Sequence, residues 1–408
     1  FMGRRMGRGG LARAATACSL VGGAVMLRAA PPLDIDPLGD SSVTLSWEET
    51  EGVVQLESSL NLRELNWVPV PTPPSLLLGR QVVAVPMLAD EIFFRLRGNA
   101  ALYVVNQQED FVGFATFETA EGNVPPTTRL SRGAATKLTQ PRAVVVTTNG
   151  RLLISRGNGG IVGWEKAAEA QGSTPPDLEV HGDATGLTES IAFAYDRDED
   201  MLFVGTTQAA MGILVFEDVS GAGFDGEVPP DRKFGPDDRV PHSATGSTKM
   251  TIDALKLVDD TLYAADTSGL SVNSSRILAF DNAGDADGET APVRTITGPW
   301  SKLRSIEIVD DRLYAADDSN IVFIVDGIGS ASGNVSPKQV IIEGASVHVR
   351  AVIAFDEQFY MLDENNASVL ALSKLPDGND GSVAPDRVVD GFATRLRLPS
   401  YMYISRGY

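Results

Sequence analysis

The 408-residue chain is poor in the residues that most often carry chemistry, with one cysteine and three histidines. The cysteine, Cys18, lies within the first thirty residues, so the remainder has neither a disulfide framework nor a thiol nucleophile. Positive charge is also scarce: 34 Lys+Arg stand against 54 Asp+Glu, a formal net charge of −20. Five of those arginines (Arg4, Arg5, Arg8, Arg13 and Arg28) precede the first acidic residue, so the chain beyond residue 30 is more acidic still. Such a surface repels phosphate backbones and anionic headgroups, which argues against nucleic acid and leaves cations, basic partners or neutral glycans. There is no Gly-x-Ser-x-Gly, no phosphate-binding glycine loop and no His-Glu-x-x-His, and no cofactor is expected. No stretch offers a capped amphipathic helix of ten residues, which excludes helical solenoids.

What is present falls into three parts. In residues 1–30, Arg4, Arg5 and Arg8 precede an apolar run from Ala14 to Leu27. This is the pattern of a signal peptide for export to the periplasm, cell surface or medium, with an uncleaved anchor as the alternative. Arg4-Arg5 has poor flanks for a twin-arginine signal, and the sequence after Cys18 stays apolar, unlike that of a lipoprotein.

Residues 31–98 read as a small β-sandwich of the immunoglobulin or fibronectin kind. Val43–Trp47 and Val53–Ser58 alternate with period two, and Trp67–Val70, Gln81–Pro86 and Ile92–Leu96 complete five candidate strands. Leu45-Ser46-Trp47, Leu56–Leu62, Asn66–Val70 and Phe93–Arg97 resemble the fibronectin-like modules of exported planctomycete and verrucomicrobial proteins. That resemblance implies a spacer or adhesion module.

Residues 99–408 carry two marks in one register, six times over. An apolar-aromatic strand start recurs at Leu102-Tyr103, Leu152-Leu153, Leu202-Phe203, Leu262-Tyr263, Leu313-Tyr314 and Phe359-Tyr360. About twenty residues later comes a Gly-x-Val/Thr-x-Pro turn, beginning at Gly122, Gly172, Gly226, Gly288, Gly333 and Gly381. Repeats of this length, each holding four short strands, predict an all-β, six-bladed β-propeller. The proline of each turn is expected to precede an outermost strand whose missing N–H faces solvent. Ser400–Ile404 aligns with the first strands of the other units and is expected to close the ring against the N-terminal one. Leu262–Asp266, Arg276–Asn282 and Leu313–Asp317 resemble NHL-type propeller repeats, a family that holds both binding proteins and enzymes.

The long insertions Phe234–Thr251 and Thr267–Ser275 fall on one propeller face, the expected site of function. Candidate binding residues there are His242, Lys249, Trp300, Arg304, His348 and Arg350, with Phe392 as a further channel-lining candidate. The leading expectation is an exported, monomeric, non-catalytic scaffold that binds a protein or glycan at the cell envelope. The alternative is a metal-dependent NHL-like hydrolase or lyase, which requires at least three of His181, His242, His348, Asp253 and Glu307 to converge at the channel mouth.

Overall fold

The structure, a computed structural model, describes residues 6–7, 33–38, 42–48, 54–59, 68–86, 91–98, 100–107, 110–115, 117–209, 212–236, 250–268, 275–378 and 381–405. Among these there is no α-helix, only strands joined by turns and four single-turn 3₁₀ segments. The chain divides into two compact units, Phe1–Ala100 with Arg406–Tyr408, and Ala101–Ser405.

In the first unit, Asp34–Pro37, Ser42–Glu48, Arg80–Pro86 and Ser75–Leu77 form one antiparallel sheet in that order. Val54–Ser59 pairs with Glu91–Gly98 and Val68–Pro69 in a second. Their alternating inward residues, Val43, Leu45, Trp47, Leu56, Val83, Ile92 and Phe94, share one core. Of residues 1–30 only Met6–Gly7 is described, pairing with Ile92 and Glu91.

The second unit is a β-propeller, built from sets of four antiparallel strands. Pro141–Val146, Leu152–Arg156, Ile161–Trp164 and Leu178–Val180 form one set. Ser190–Asp196, Met201–Ala209, Ile213–Phe216 and Arg232–Gly235 form the next, followed by Met250–Val258, Thr261–Asp266, Arg276–Phe280 and Arg294–Thr297. Ser305–Val309, Arg312–Ala316, Ile321–Asp326 and Lys338–Ile342 then precede Val349–Phe355, Gln358–Asp363, Ser368–Leu372 and Arg387–Val389. The remaining set joins the two ends of the unit. Pro399–Ser405 pairs with Ala101–Asn106, which continues to Phe111–Phe114 and Thr128–Leu130.

Period-two alternation makes each set apolar on both faces, and the sets bury those faces against one another. Leu152 and Ile154 pack toward the preceding set, and Leu153 toward the following one. Where the last set meets the one that holds both ends of the unit, Phe117 lies edge-on to Phe355 and Tyr360, and Arg387 donates to the Phe117 and Ala120 carbonyls.

Two repeated devices fix these sets. The first is an acidic or amide side chain at the end of the second strand. Asp266, Asp317 and Asp363 are buried, and each accepts a backbone N–H at or just before the start of its own inner strand (Thr251, Ser301 and His348). Asn106 does the same for Arg397. The second device corrects the expectation of a bare outer edge. Each turn glycine, or its neighbour, pairs in parallel with the outermost strand of the preceding set: Gly172 with Leu130, Gly226 with Val180, Gly288 with Phe234, Gly333 with Ile296 and Ser382 with Ile341. Gly122 pairs likewise with Val389, across the junction of first and last sets. All six glycines have positive φ, between 61° and 79°, which makes this zipper accessible at low strain.

Candidate functional site

The inner strands determine where side chains gather at the axis. In five of the sets described a register shift interrupts the first pairs of the inner strand, between Pro141 and Val144, Ser190 and Ala192, Ile252 and Ala254, Val349 and Ala351, and Pro399 and Tyr401. A β-bulge re-aims the extra side chain out of the normal alternation. The residues set free include Arg142, Asp253, Arg350 and Ser400, and Arg304, immediately before Ser305–Val309, holds the equivalent place. Arg142, Asp253, Arg304, Arg350 and Ser400 line one cavity of about 60 Å³, together with Tyr401.

The charges at this mouth are linked. Arg304 donates to Asp318 at 2.5 Å and to Asp253 at 3.3 Å, and Arg350 donates to the other oxygen of Asp318 at 2.8 Å. Asp253 Oδ2 also accepts the Thr267 hydroxyl at 2.8 Å and faces Lys302 at 3.7 Å. Arg142 differs: among the described residues it makes no hydrogen bond or ion pair, and its buried Nε has no partner. Burial lowers its affinity for a proton, Glu189 and Asp253 raise it, and Arg350 and Arg304 lower it; a guanidinium nevertheless stays charged. The Tyr401 hydroxyl is committed to the Phe193 carbonyl at 2.9 Å and is pushed above its ordinary pKa by burial.

Of the residues read from the sequence, the structure brings together Arg304, Arg350 and His348. His348 Nδ1 lies 3.3 Å from Glu364 and Nε2 lies 3.8 Å from Asp318. Trp300 is a correction. It is fully buried, edge-on to Phe323, and its indole N–H donates to the Ser275 carbonyl at 2.9 Å, so it is core and not binding surface. Phe392 is also corrected. It is 75% exposed and covered by Arg395 at 4.5 Å, and does not line the cavity. His242 and Lys249 lie outside the described residues, as do most of the two long insertions.

The residues named for a metal centre are dispersed among those described. His181 is exposed and sits where its backbone N–H meets Gly226 on the outer zipper, while Glu307 is buried against Lys256 at 2.6 Å. Asp253 belongs to the arginine cluster. Asp318, His348 and Glu364 form the one acid–histidine group among the described residues whose ligand atoms lie within 4.8 Å of one another. Two guanidiniums already occupy Asp318, and the carboxylates flank opposite nitrogens of the imidazole, an arrangement that suits hydrogen bonding better than shared metal ligation.

Sequence reasoning did not find Arg142, Asp318, Ser400 or Glu364. A signal existed for two of them: Arg142, Asp253, Arg304, Arg350 and Ser400 each lie two residues before the aligned apolar residue of the inner strand (Val144, Leu255, Ile306, Val352 and Met402).

No protein-family model and no curated protein matches the chain. Solved structures do. A chain in the crystal structure of the nidogen/laminin complex aligns with a TM-score of 0.47 at 11% identity, over 75% of this chain and 97% of that one. A chain in the crystal structure of the mitotic checkpoint complex aligns with a TM-score of 0.43 at 11% identity, over 72% and 76% respectively.

Proposed function

We propose that this protein is a six-bladed propeller acting as a non-catalytic binding scaffold, whose protein or glycan partner docks on the face where the inner strands begin. The observation that supports this is convergence: strands from five sets deliver Arg142, Asp253, Arg304, Arg350 and Ser400 to one cavity on a rigid ring. Side chains held on packed strands present a fixed pattern of charge, which favours recognition at little ordering cost. Thr267, at the root of the insertion 267–275, donates its hydroxyl to Asp253 on the cavity wall. Export of the protein to the cell envelope, resting on the arginines and apolar run of residues 1–30, completes the reading.

The test is a binding screen of the full-length chain against immobilised glycans and envelope proteins, repeated with Arg142→Gln/Ser400→Ala. A partner retained by the native chain and lost by the variant is the expected result. Absence of any partner for the native chain would sink the proposal.

A further inference from the structure

The axial cavity has a charge pattern that names a ligand class. Three guanidiniums line it against one carboxylate, in a protein whose overall charge is −20. Arg304 and Arg350 are neutralised in part by Asp318, which both of them grip from outside the cavity lining. Among the described residues Arg142 has no such partner; Glu189 and Asp253 act on it only through space, and Glu189 itself accepts the Thr207 hydroxyl at 2.7 Å. A half-buried guanidinium without an ion pair favours an anion beside it.

The other walls restrict which anion. Asp253 presents its second oxygen, Oδ1, with no donor among the described residues, and Ser400 contributes a hydroxyl whose only bond is a long one, 3.4 Å, to the Val105 carbonyl. A dianionic phosphate would have to sit against the Asp253 carboxylate and be repelled. A single carboxylate, planar and matched to the guanidinium fork, would not carry that excess charge, and a hydroxyl beside it would donate to Asp253 and accept from Ser400. A cavity of about 60 Å³ holds roughly four or five waters' worth of ligand, enough for a carboxylate with its neighbouring hydroxyl but not for a whole sugar ring.

From this we infer that the axial cavity captures a carboxylate flanked by a hydroxyl group, as carried by a small 2-hydroxy acid or by a uronic acid at the end of a glycan. The inference rests on the binding-scaffold reading and specifies its anchor point. Both sources carry a carboxylate with a hydroxyl near it, on the adjacent carbon in a 2-hydroxy acid and one carbon further in a uronic acid, whose adjacent carbon holds the ring oxygen. They differ in whether the rest of the ligand projects from the mouth.

Calorimetric titration of the full-length protein with glycolate, methyl glucuronide, glucose and inorganic phosphate tests it. Glycolate and methyl glucuronide are expected to bind, while glucose and phosphate are expected to bind at least tenfold more weakly. Methyl glucuronide tighter than glycolate assigns the glycan end, and the reverse assigns the free acid. Arg142→Gln should weaken either acid tenfold or more without moving the thermal midpoint, since Arg142 bonds to no described residue; Ser400→Ala should weaken it a few-fold. Failure of both acids to bind, phosphate binding as tightly as glycolate, or acid binding unchanged in Arg142→Gln overturns the inference. A peptide with a free C-terminus that binds where both acids fail also overturns it, in favour of a protein partner. An acidic oligosaccharide that binds the native chain and Arg142→Gln alike removes the axial anchor yet leaves glycan binding elsewhere on the face intact, so the two readings fail separately.

Discussion

Asp363→Ala should lower the stability of the propeller by about 3 kcal/mol, and the structure explains the size. Asp363 is 1% exposed at the end of the strand Gln358–Asp363. Its Oδ1 accepts the N–H of His348 at 3.1 Å and of Asn366 at 3.3 Å, and its Oδ2 accepts Asn366 Nδ2 at 2.6 Å. Alanine leaves two backbone donors without an acceptor, at roughly 1–3 kcal/mol for each fully buried donor. Asn366 sits in a partly exposed turn where water can substitute, so the His348 N–H dominates. Asparagine provides the control. Asn106 occupies the same place in its own set, accepting Arg397 N–H at 2.9 Å and donating to the Arg395 carbonyl at 3.0 Å. Asp363→Asn therefore keeps the central acceptor and loses only the bond to the Asn366 amide, about 1 kcal/mol. Urea unfolding followed by tryptophan fluorescence reports the transition, because Trp164 and Trp300 are both buried in the propeller. An alanine variant within about 0.5 kcal/mol of the native protein would refute the reasoning. So would an asparagine variant as unstable as alanine, which would make charge and not hydrogen bonding the cause.

Gly172→Ala should cost about 1–2 kcal/mol from the left-handed backbone alone, since φ is +61° and no atom lies within 4 Å of an added Cβ. Gly223→Ala, equally open but without positive φ, should be neutral or slightly stabilising in the same unfolding assay. Trp300→Phe should destabilise by about 1–3 kcal/mol, because it leaves the buried Ser275 carbonyl unpaired, and should leave acid binding by calorimetry unchanged. Burial pushes the Glu179 carboxyl up, but hydrogen bonds from Lys137 and Arg156 outweigh this and hold it below its ordinary value. That contribution is present above the unfolded-state pKa of about 4.3 and is lost as pH falls through the depressed folded value. Glu179→Gln should thus cost about 1 kcal/mol near pH 7, with a deficit that vanishes in acid; a pH-independent deficit would contradict the pairing. After dialysis against zinc, elemental analysis should find no stoichiometric metal at His348, and one equivalent lost in His348→Ala would revive the metal-centre alternative.

The parts of the fold legible in the sequence are those set by local chemistry. Leu262-Tyr263 and its counterparts announce second strands because period-two alternation needs only neighbouring residues, and the six turn glycines announce themselves because positive φ penalises every other side chain. What the turns do was not legible. The pairing of Gly172 with Leu130 depends on the placement of two successive sets, so the outer edge read as bare. Trp300 misled for a related reason: near Arg304 in sequence it resembles a rim aromatic, whereas its ring faces Phe323 and its N–H is satisfied within the core. The site was hidden more deeply. Positions 142, 253, 304, 350 and 400 hold Arg, Asp, Arg, Arg and Ser, so no one residue type marks them all, although their offset does. The lock residue at the end of the second strand is Asp in three sets and Asn in a fourth, because its side chain must meet a backbone N–H. At the bulge the side chain leaves the packing between sets, and no such bond restricts it. Identity can therefore vary at the bulge without cost to the ring, which is why the ring repeats and the cavity it encloses does not.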